Sequence, residues 1–138
     1  MTRRPLLPWL RARVRGERGS VSLELAVVFP VVLLLIFGAV QAALYFHARN
    51  VALAAAEEGL RDARVENGSS SAGVRRAEDF LADAGGGRVL LGSSVTADQG
   101  ATEATVTVRG TSPSVLPGIG GFVVSQSATG PRERVTTP

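Results

Sequence analysis

Glu24 is the residue whose position most strongly indicates a chemical role, because it lies at the edge of a long apolar run. Residues 25–40 are apolar or glycine without interruption, and an arginine-rich lead precedes the acid. In the first turn of a helix, a carboxylate gains about 0.3–1 kcal/mol from the positive end of the helix dipole. Deeper in a bilayer it is costly and usually has a partner. Glu24 is therefore either an interfacial charge or a group that requires a positive partner.

The histidine and the remaining acids form no recognisable catalytic or metal site. His47 is the only histidine, and the absence of cysteine excludes disulfides, thiolate catalysis and cysteine-based metal sites. Calcium loops need acids at fixed spacings. The acids on the predicted helices lack such spacing: Asp62, Glu66, Glu78, Asp79 and Asp83. We predict that the chain is not an enzyme and binds no metal and no cofactor.

Positive charge is concentrated at the N-terminus. Residues 1–19 hold six of the 15 arginines and one acid, whereas residues 20–138 hold nine arginines and eleven acids. A short basic lead before an apolar run is a topology signal that places the N-terminus in the cytoplasm and the C-terminus outside. No aromatic platform or basic stripe follows it, so nucleic acid is not predicted as a partner.

The apolar run is long enough to cross a lipid bilayer, which needs about 20 helical residues. It extends over residues 21–46 and contains Gln41, and Tyr45 and Phe46 at its far end fit an interfacial aromatic belt. A cleaved secretory signal is the main competitor, although its apolar region usually has about 7–15 residues. Residues 40–42 are a weak signal-peptidase site, so a secreted protein remains an alternative.

The helical pattern continues beyond the apolar run. Apolar positions keep helical spacing through the alanine-rich segment that follows, so we predict one helix over residues 20–66, about 70 Å long. Asn67 and Gly68 are a typical pair for its C-terminal cap. A loop is predicted at 68–73 and a short amphipathic helix at 74–84. Three glycines then end it, and no Lys-Ser/Thr pair follows them as in a phosphate-binding loop.

The C-terminal part predicts a small antiparallel sheet. "ATEATVTVRG" alternates, with Ala104, Val106 and Val108 on one face, which is typical of a half-buried strand. Two strand segments, "RVLL" and "SSVTA", and a turn at 98–100 precede it. A proline- and glycine-rich loop follows it, and "FVVSQSAT" is predicted as the last strand. The predicted fold class is α+β, a long N-terminal helix, membrane-spanning in its first half, followed by a short helix and this sheet. Because the domain is small and poor in aromatic residues, the sheet is expected to need the outer half of the long helix for packing.

Several positions in and around the apolar run resemble the membrane anchor of type IV pilins. The closer resemblance is to the TadE-like proteins of tight-adherence (Tad/Flp) pilus systems. Their anchors have a glycine, then Glu-x-Ala, a proline, an aliphatic run and a second glycine. The corresponding residues here are Gly19, Glu24, Ala26, Pro30, Leu33 to Leu35 and Gly38.

A later segment, "AAAEEGLRDA", resembles the end of the long helix in these proteins, with Glu58, Gly59 and Arg61 matching. The resemblance covers about residues 15–65 and extends only loosely to the sheet. Leu25 is a departure, because major pilins of this group carry an aromatic residue there. This difference favours a minor component over a major pilin.

The resemblance implies that a prepilin peptidase cleaves between Gly19 and Ser20. Cleavage would free the α-amine of Ser20, and in a bundle of subunits Glu24 of one chain would neutralise the amine of a neighbour. Pro30 removes one backbone hydrogen bond, and it is either a kink that helps extraction from the bilayer or a tolerated membrane proline. Gly38 is expected to serve helix packing.

The predicted function is a TadE-like minor pilin or pseudopilin with a pilin-like fold, a membrane-anchored structural or assembly component of the pilus. Its expected partners are the prepilin peptidase, the major pilin, other minor pilins, membrane platform proteins and the lipid bilayer. The predicted regions are a basic cytoplasmic leader at 1–19, the membrane-spanning and extended helix at 20–66, an extracytoplasmic α+β domain at 67–130 and a flexible tail at 131–138. The alternatives are a single-pass anchor that presents a small binding domain, and the secreted protein.

Overall fold

The computed structural model describes residues 16–133, with side chains from residue 22 onward. Most of the predicted leader, the side chain of Ser20, and residues 134–138 of the predicted tail lie outside the described part. The chain divides into two compact units, Met1–Ile36 and Phe37–Pro138. The described elements are two α-helices, one short 3₁₀ turn and three strands, so the predicted α+β class is confirmed.

Helix α1 spans Gly16–Arg64 and has 49 residues. The long helix predicted at 20–66 is therefore confirmed, although it begins four residues earlier and ends two residues earlier. Leucine and alanine, which lose little entropy in a helix, dominate the sequence. Arg61 and Arg64 in the last turn complement the negative end of the helix dipole. Pro30 lies inside the helix and leaves the carbonyl of Ala26 without its usual donor.

The C-terminus of α1 is capped by the rest of the domain, whereas the sequence predicted a cap formed by Asn67 and Gly68. The side-chain amide of Gln99 donates to the carbonyl of Ala63, and the Glu133 N–H donates to the carbonyl of Arg64 at 2.8 Å. Gly68 has no positive φ. A Cβ there would lie 2.3 Å from the carbonyl oxygen of Asp62, so a close approach to the helix end is what requires the glycine.

Helix α2 spans Ser70–Asp83, four residues longer at its N-terminus than predicted. The loop predicted at 68–73 is thus wrong for its last four residues, 70–73. Ser69 is the N-cap, and its hydroxyl accepts a hydrogen bond from the Ala72 N–H at 3.1 Å. Such a cap satisfies one of the free N–H groups of the first turn. The serine run that indicated a loop therefore starts a helix.

The segment between α2 and the sheet is a turn. Gly85 and Gly86 have positive φ values of 113° and 54°, and a 3₁₀ turn follows at Gly86–Arg88. The strand predicted at "RVLL" is therefore wrong except for its last residue, Leu91. Leu90 is buried instead against Gly110, where a Cβ would lie 2.5 Å from the Leu90 Cγ. Its apolar character reflects a core position outside the sheet.

The sheet has three antiparallel strands in the order β1-β2-β3. They are β1 (Leu91–Gln99), β2 (Glu103–Thr111) and β3 (Val123–Pro131). Ala104, Val106 and Val108 are buried, as their alternation predicted. The turn predicted at 98–100 lies slightly later, between β1 and β2. Strand β3 continues to Pro131, which pairs with Glu103 and lies within the segment predicted as a flexible tail.

The core of the second unit lies between the outer half of α1, α2 and one face of the sheet. The fully buried apolar residues that α1 contributes are all alanines, and Tyr45, Val51 and Leu60 pack around them. The alanines are Ala48, Ala52, Ala55, Ala56 and Ala63. Small side chains let the helix lie close to the sheet, as at Gly59, where a Cβ would be 3.2 Å from Val106 Cγ1. Helix α1 thus packs against the sheet, as expected, and the need of the sheet for this helix stays a prediction.

Candidate functional site

The residues predicted for processing and assembly all lie on α1. Gly19 and Ser20 have helical backbone, so the predicted scissile bond is within the first turns of the helix. Glu24 is exposed and has no hydrogen-bond or ion-pair partner among the described side chains. Pro30 is likewise exposed. Among the side chains of residues 22–133, the Glu24 carboxylate is therefore exposed and unpaired.

An apolar surface surrounds α1 after Glu24. The described helix contains an 18-residue window with a mean hydropathy of 2.7, and none of that window is buried in the protein. A soluble domain rarely leaves such a surface open to water. Length and composition thus make the helix compatible with a membrane anchor. Gly38, which we expected to pack, has nothing within 4 Å of a built Cβ.

Gln41 lies near the C-terminal end of this surface and is only 4% exposed. Its side-chain amide makes two hydrogen bonds to the segment between β2 and β3. The Nε2 group donates to the Pro113 carbonyl at 3.1 Å, and Oε1 accepts from the Val115 N–H at 3.0 Å. Gln41 therefore holds residues 113–122 against α1. We name this segment the outer loop.

The base of the outer loop is closed by a second set of bonds. The Ser112 N–H donates to the Phe122 carbonyl at 2.9 Å, and the Phe122 N–H donates to the Ser112 hydroxyl at 3.1 Å. Ser112 is fully buried. A Cβ at Gly121 would lie 1.6 Å from the Ser112 carbonyl oxygen, so only glycine fits where the two chain segments meet. The loop is a defined structural element.

The outer loop exposes apolar side chains beside the helix. Ile119 is 55% exposed and Phe122 is 50% exposed. The Phe122 ring meets Tyr45 of α1 edge to face, with centroids 6.1 Å apart. Between helix and loop is a cavity of about 590 Å³ that is widely open on one side and is lined by Gly38, Gln41, Ala42, Tyr45, Phe46, Leu116, Phe122 and Val123. Its lining is mainly apolar, with Gln41 and Tyr45 as the residues that carry polar groups, so it suits an apolar ligand.

Sequence reasoning described the outer loop only as a proline- and glycine-rich connection and missed its surface. A signal was present, because residues 110–131 contain no charged side chain. This stretch comprises the end of β2, the outer loop and β3, and a partly exposed stretch of that length normally includes charged residues. The pairing with Gln41 could not be foreseen, since it joins residues 72 positions apart.

The segment "AAAEEGLRDA" forms the contact between α1 and α2. The Glu58 carboxylate forms two salt bridges. One is to Arg61 on the same helix, at 2.9 Å, and the other is to Arg76 of α2, at 3.1 Å. Gly59 lies directly beneath α2, and a Cβ there would be 2.6 Å from the carbonyl oxygen of Gly73. These residues position α2, and the structure gives them a packing role. In residues 16–133 no group of three or more acids and histidines is arranged to hold a metal ion.

Comparison with protein families supports the resemblance drawn from the sequence. Residues 19–61 match the family model described as TadE-like protein. The match includes Gly19, Glu24 and Pro30 as well as the segment with Glu58 and Gly59. It ends before α2 and the sheet. Comparisons with curated proteins and with solved structures give no match.

Proposed function

We propose that this chain, which is TadE-like over residues 19–61, is a minor pilin or pseudopilin of a tight-adherence pilus. It acts as a membrane-anchored structural or assembly component and performs no catalysis. The main support for the proposal is the extent of the match to the TadE-like family model. A single matched stretch includes the Gly19 to Glu24 spacing, the apolar helix and the Glu58–Gly59 segment. A generic membrane anchor would need only the apolar helix.

In this proposal the chain crosses the cell membrane once. The basic leader at 1–19 is cytoplasmic, the segment 20–66 provides the anchoring part of α1, and the domain at 67–130 lies outside. The arginine excess in the leader supports this orientation. The partners are the prepilin peptidase, the major pilin and other minor pilins, the membrane platform proteins of the system and the bilayer.

Processing occurs between Gly19 and Ser20. A peptidase at the cytoplasmic face needs a small residue before the scissile bond, because a larger side chain would clash in a narrow site. Removal of the leader creates an amine at Ser20, at the boundary of the apolar helix. Both this amine and the Glu24 carboxylate are poorly solvated there, so pairing between neighbouring subunits stabilises the correct axial register. Pro30 weakens the helix locally and helps the subunit leave the bilayer.

The test is the intact mass and N-terminal sequence of the protein in cells with an active pilus system. The wild-type chain should begin at Ser20, and Gly19→Leu should keep the 19-residue leader. Gly16→Leu is the matched control, since it places the same side chain three residues upstream and should still be cleaved. A wild-type start at Met1 or Thr2 would instead support a single-pass anchor. A start near Ala43 would support a secreted protein.

A further inference from the structure

We propose that the outer loop lies in the outer leaflet of the membrane that α1 crosses, and that the cavity beneath it holds a lipid acyl chain. The proposal rests on the membrane-anchored part of the proposed function and goes beyond it. In it the extracytoplasmic domain has two membrane contacts, the helix and the loop.

The first argument is the level at which the loop is attached. A bilayer crossing of about 20 residues counted from Glu24 ends near residue 43. Gln41, which binds the outer loop, therefore falls within the outer end of the span. Phe37, Val40 and Phe46 on the same part of α1 are exposed and apolar. A loop held at Gln41 is at the depth of these side chains.

The second argument is the state of the glutamine itself. A primary amide in hydrocarbon is costly unless its donor and acceptor are both satisfied. Here the Pro113 carbonyl and the Val115 N–H satisfy one donor and the acceptor, and the side chain is buried. The loop thereby covers the most polar group of the outer half of the span, and in return two of its backbone groups are satisfied without water.

The third argument is the chemistry of the loop surface. Residues 110–131 carry no charge, and the exposed side chains at the tip and its edge are Val115, Ile119, Phe122 and Val123. Tyr45, Phe46 and Phe122 form an aromatic cluster with edge-to-face contacts. Tyrosine and tryptophan are enriched at the membrane–water interface, and Tyr45 supplies such an amphipathic ring in this cluster. Lipid is favoured over a protein partner because this surface is continuous with the exposed apolar surface of residues 37–46.

The cavity identifies where a lipid chain would lie. Its volume of about 590 Å³ is within the range of about 300–1,000 Å³ that is usual for small-molecule pockets. The polar groups of Gln41 are used by the loop, so the cavity offers an apolar wall of Ala42, Phe46, Leu116 and Phe122. This lining fits a hydrocarbon chain and would not bind a headgroup.

The test uses the full chain in vesicles of phosphatidylethanolamine and phosphatidylglycerol. Since the chain has no cysteine, single cysteines carry an environment-sensitive fluorophore cleanly. The positions are Ile119→Cys in the loop, Leu35→Cys in the span and Thr102→Cys, which is exposed at the opposite end of the sheet. Lipids with a nitroxide on the acyl chain should quench the probes at positions 119 and 35 and leave the probe at 102 bright.

A photoreactive acyl chain provides an independent measurement. Trypsin cleaves after Arg109 and Arg132, so residues 110–132, including the whole loop, are released as one peptide. Lipid adducts are expected on this peptide and not on the preceding one, residues 89–109. Ala42→Trp should fill the cavity from the helix side. It should reduce adducts at Leu116 while the quenching at position 119 persists.

Three outcomes would overturn the inference. If the probe at 119 stays bright and the probe at 35 is quenched, the loop is in water although the helix is inserted in the bilayer. Shielding at 119 that requires added pilus subunits makes the loop a protein interface. If the probe at 35 is not quenched, the helix is not inserted, and the membrane anchor of the proposed function fails together with the inference.

Discussion

Gly59 of α1 and Gly73 of α2 approach each other so closely that neither position has room for a side chain. A Cβ on Gly59 would lie 2.6 Å from the Gly73 carbonyl oxygen, and a Cβ on Gly73 would lie 2.9 Å from the Gly59 carbonyl oxygen. The obstacles are backbone atoms, which cannot rotate away. This contact fixes α2 against the long helix, and the Glu58 ion pairs with Arg61 and Arg76 lie beside it.

Gly59→Ala should therefore destabilise the domain. Overpacking of this kind lowers the free energy of unfolding by about 1–3 kcal/mol, and here it outweighs the gain of about 0.5–1 kcal/mol that alanine normally brings to a helix. Thermal unfolding in detergent, followed by circular dichroism, measures the change. Gly38→Ala is the matched control on the same helix, because its Cβ would meet nothing within 4 Å. A Gly59→Ala domain as stable as the Gly38→Ala domain would contradict the packing role.

The hydrogen bonds of Gln41 predict a local effect on the outer loop. Gln41→Leu keeps the side-chain size but leaves the Pro113 carbonyl and the Val115 N–H without their partner. An unsatisfied buried polar group costs about 1–3 kcal/mol, so the loop should open more often. Hydrogen exchange at the Val115 amide should accelerate, whereas exchange in β2 should not change. Gln126→Leu, which removes a glutamine amide from β3, is the control and should leave Val115 protected.

Much of this fold could be predicted from local sequence, and the failures have physical reasons. The helical spacing of the apolar residues predicted α1, and the alternation of Ala104, Val106 and Val108 with polar residues predicted β2. Both patterns could be read from sequence because each lies within a single helix or strand. The start of α2 was missed because a serine run favours both loops and N-caps, and burial of Gly73 decides between them. Leu90 was assigned to a strand because an apolar run does not tell a sheet position from a core position outside the sheet.

The candidate site also has one part that could be predicted from local sequence and one part that could not. Gly19, Glu24 and Pro30 were visible because they lie close together in sequence around a change from basic to apolar character. The outer loop was not, because its surface arises from contacts between Gln41 and residues more than seventy positions later. Short-range patterns carry no information about such pairs.

The composition of the core predicts that the sheet depends on α1. Five of the 13 buried apolar residues in the described part of the chain are alanines of α1. A fragment that begins at His47 retains them, and a fragment that begins at Ser69 loses all five and exposes Val106 and Val108. The shorter fragment should unfold at lower temperature and with less cooperativity on heating. Equal melting of the two fragments would show that α2 and the sheet are sufficient on their own.

The proposed pairing of Glu24 predicts a defect in assembly that leaves the earlier steps intact. Glu24→Ala should still be cleaved, because the residue lies beyond the scissile bond between Gly19 and Ser20. It should also insert at least as well as the wild type, since removal of a charge makes a membrane helix more favourable. Association with other pilus subunits should be lost, because the Ser20 amine of a neighbour would have no partner.

Co-purification with those subunits after crosslinking measures this step, and the N-terminal sequence of the same sample verifies processing. Glu17→Ala removes an acid from the leader, which is absent from the mature chain, and should assemble normally. If Glu24→Ala assembles as well as Glu17→Ala, the carboxylate is only an interfacial charge at the start of the apolar helix, and the pairing hypothesis is wrong.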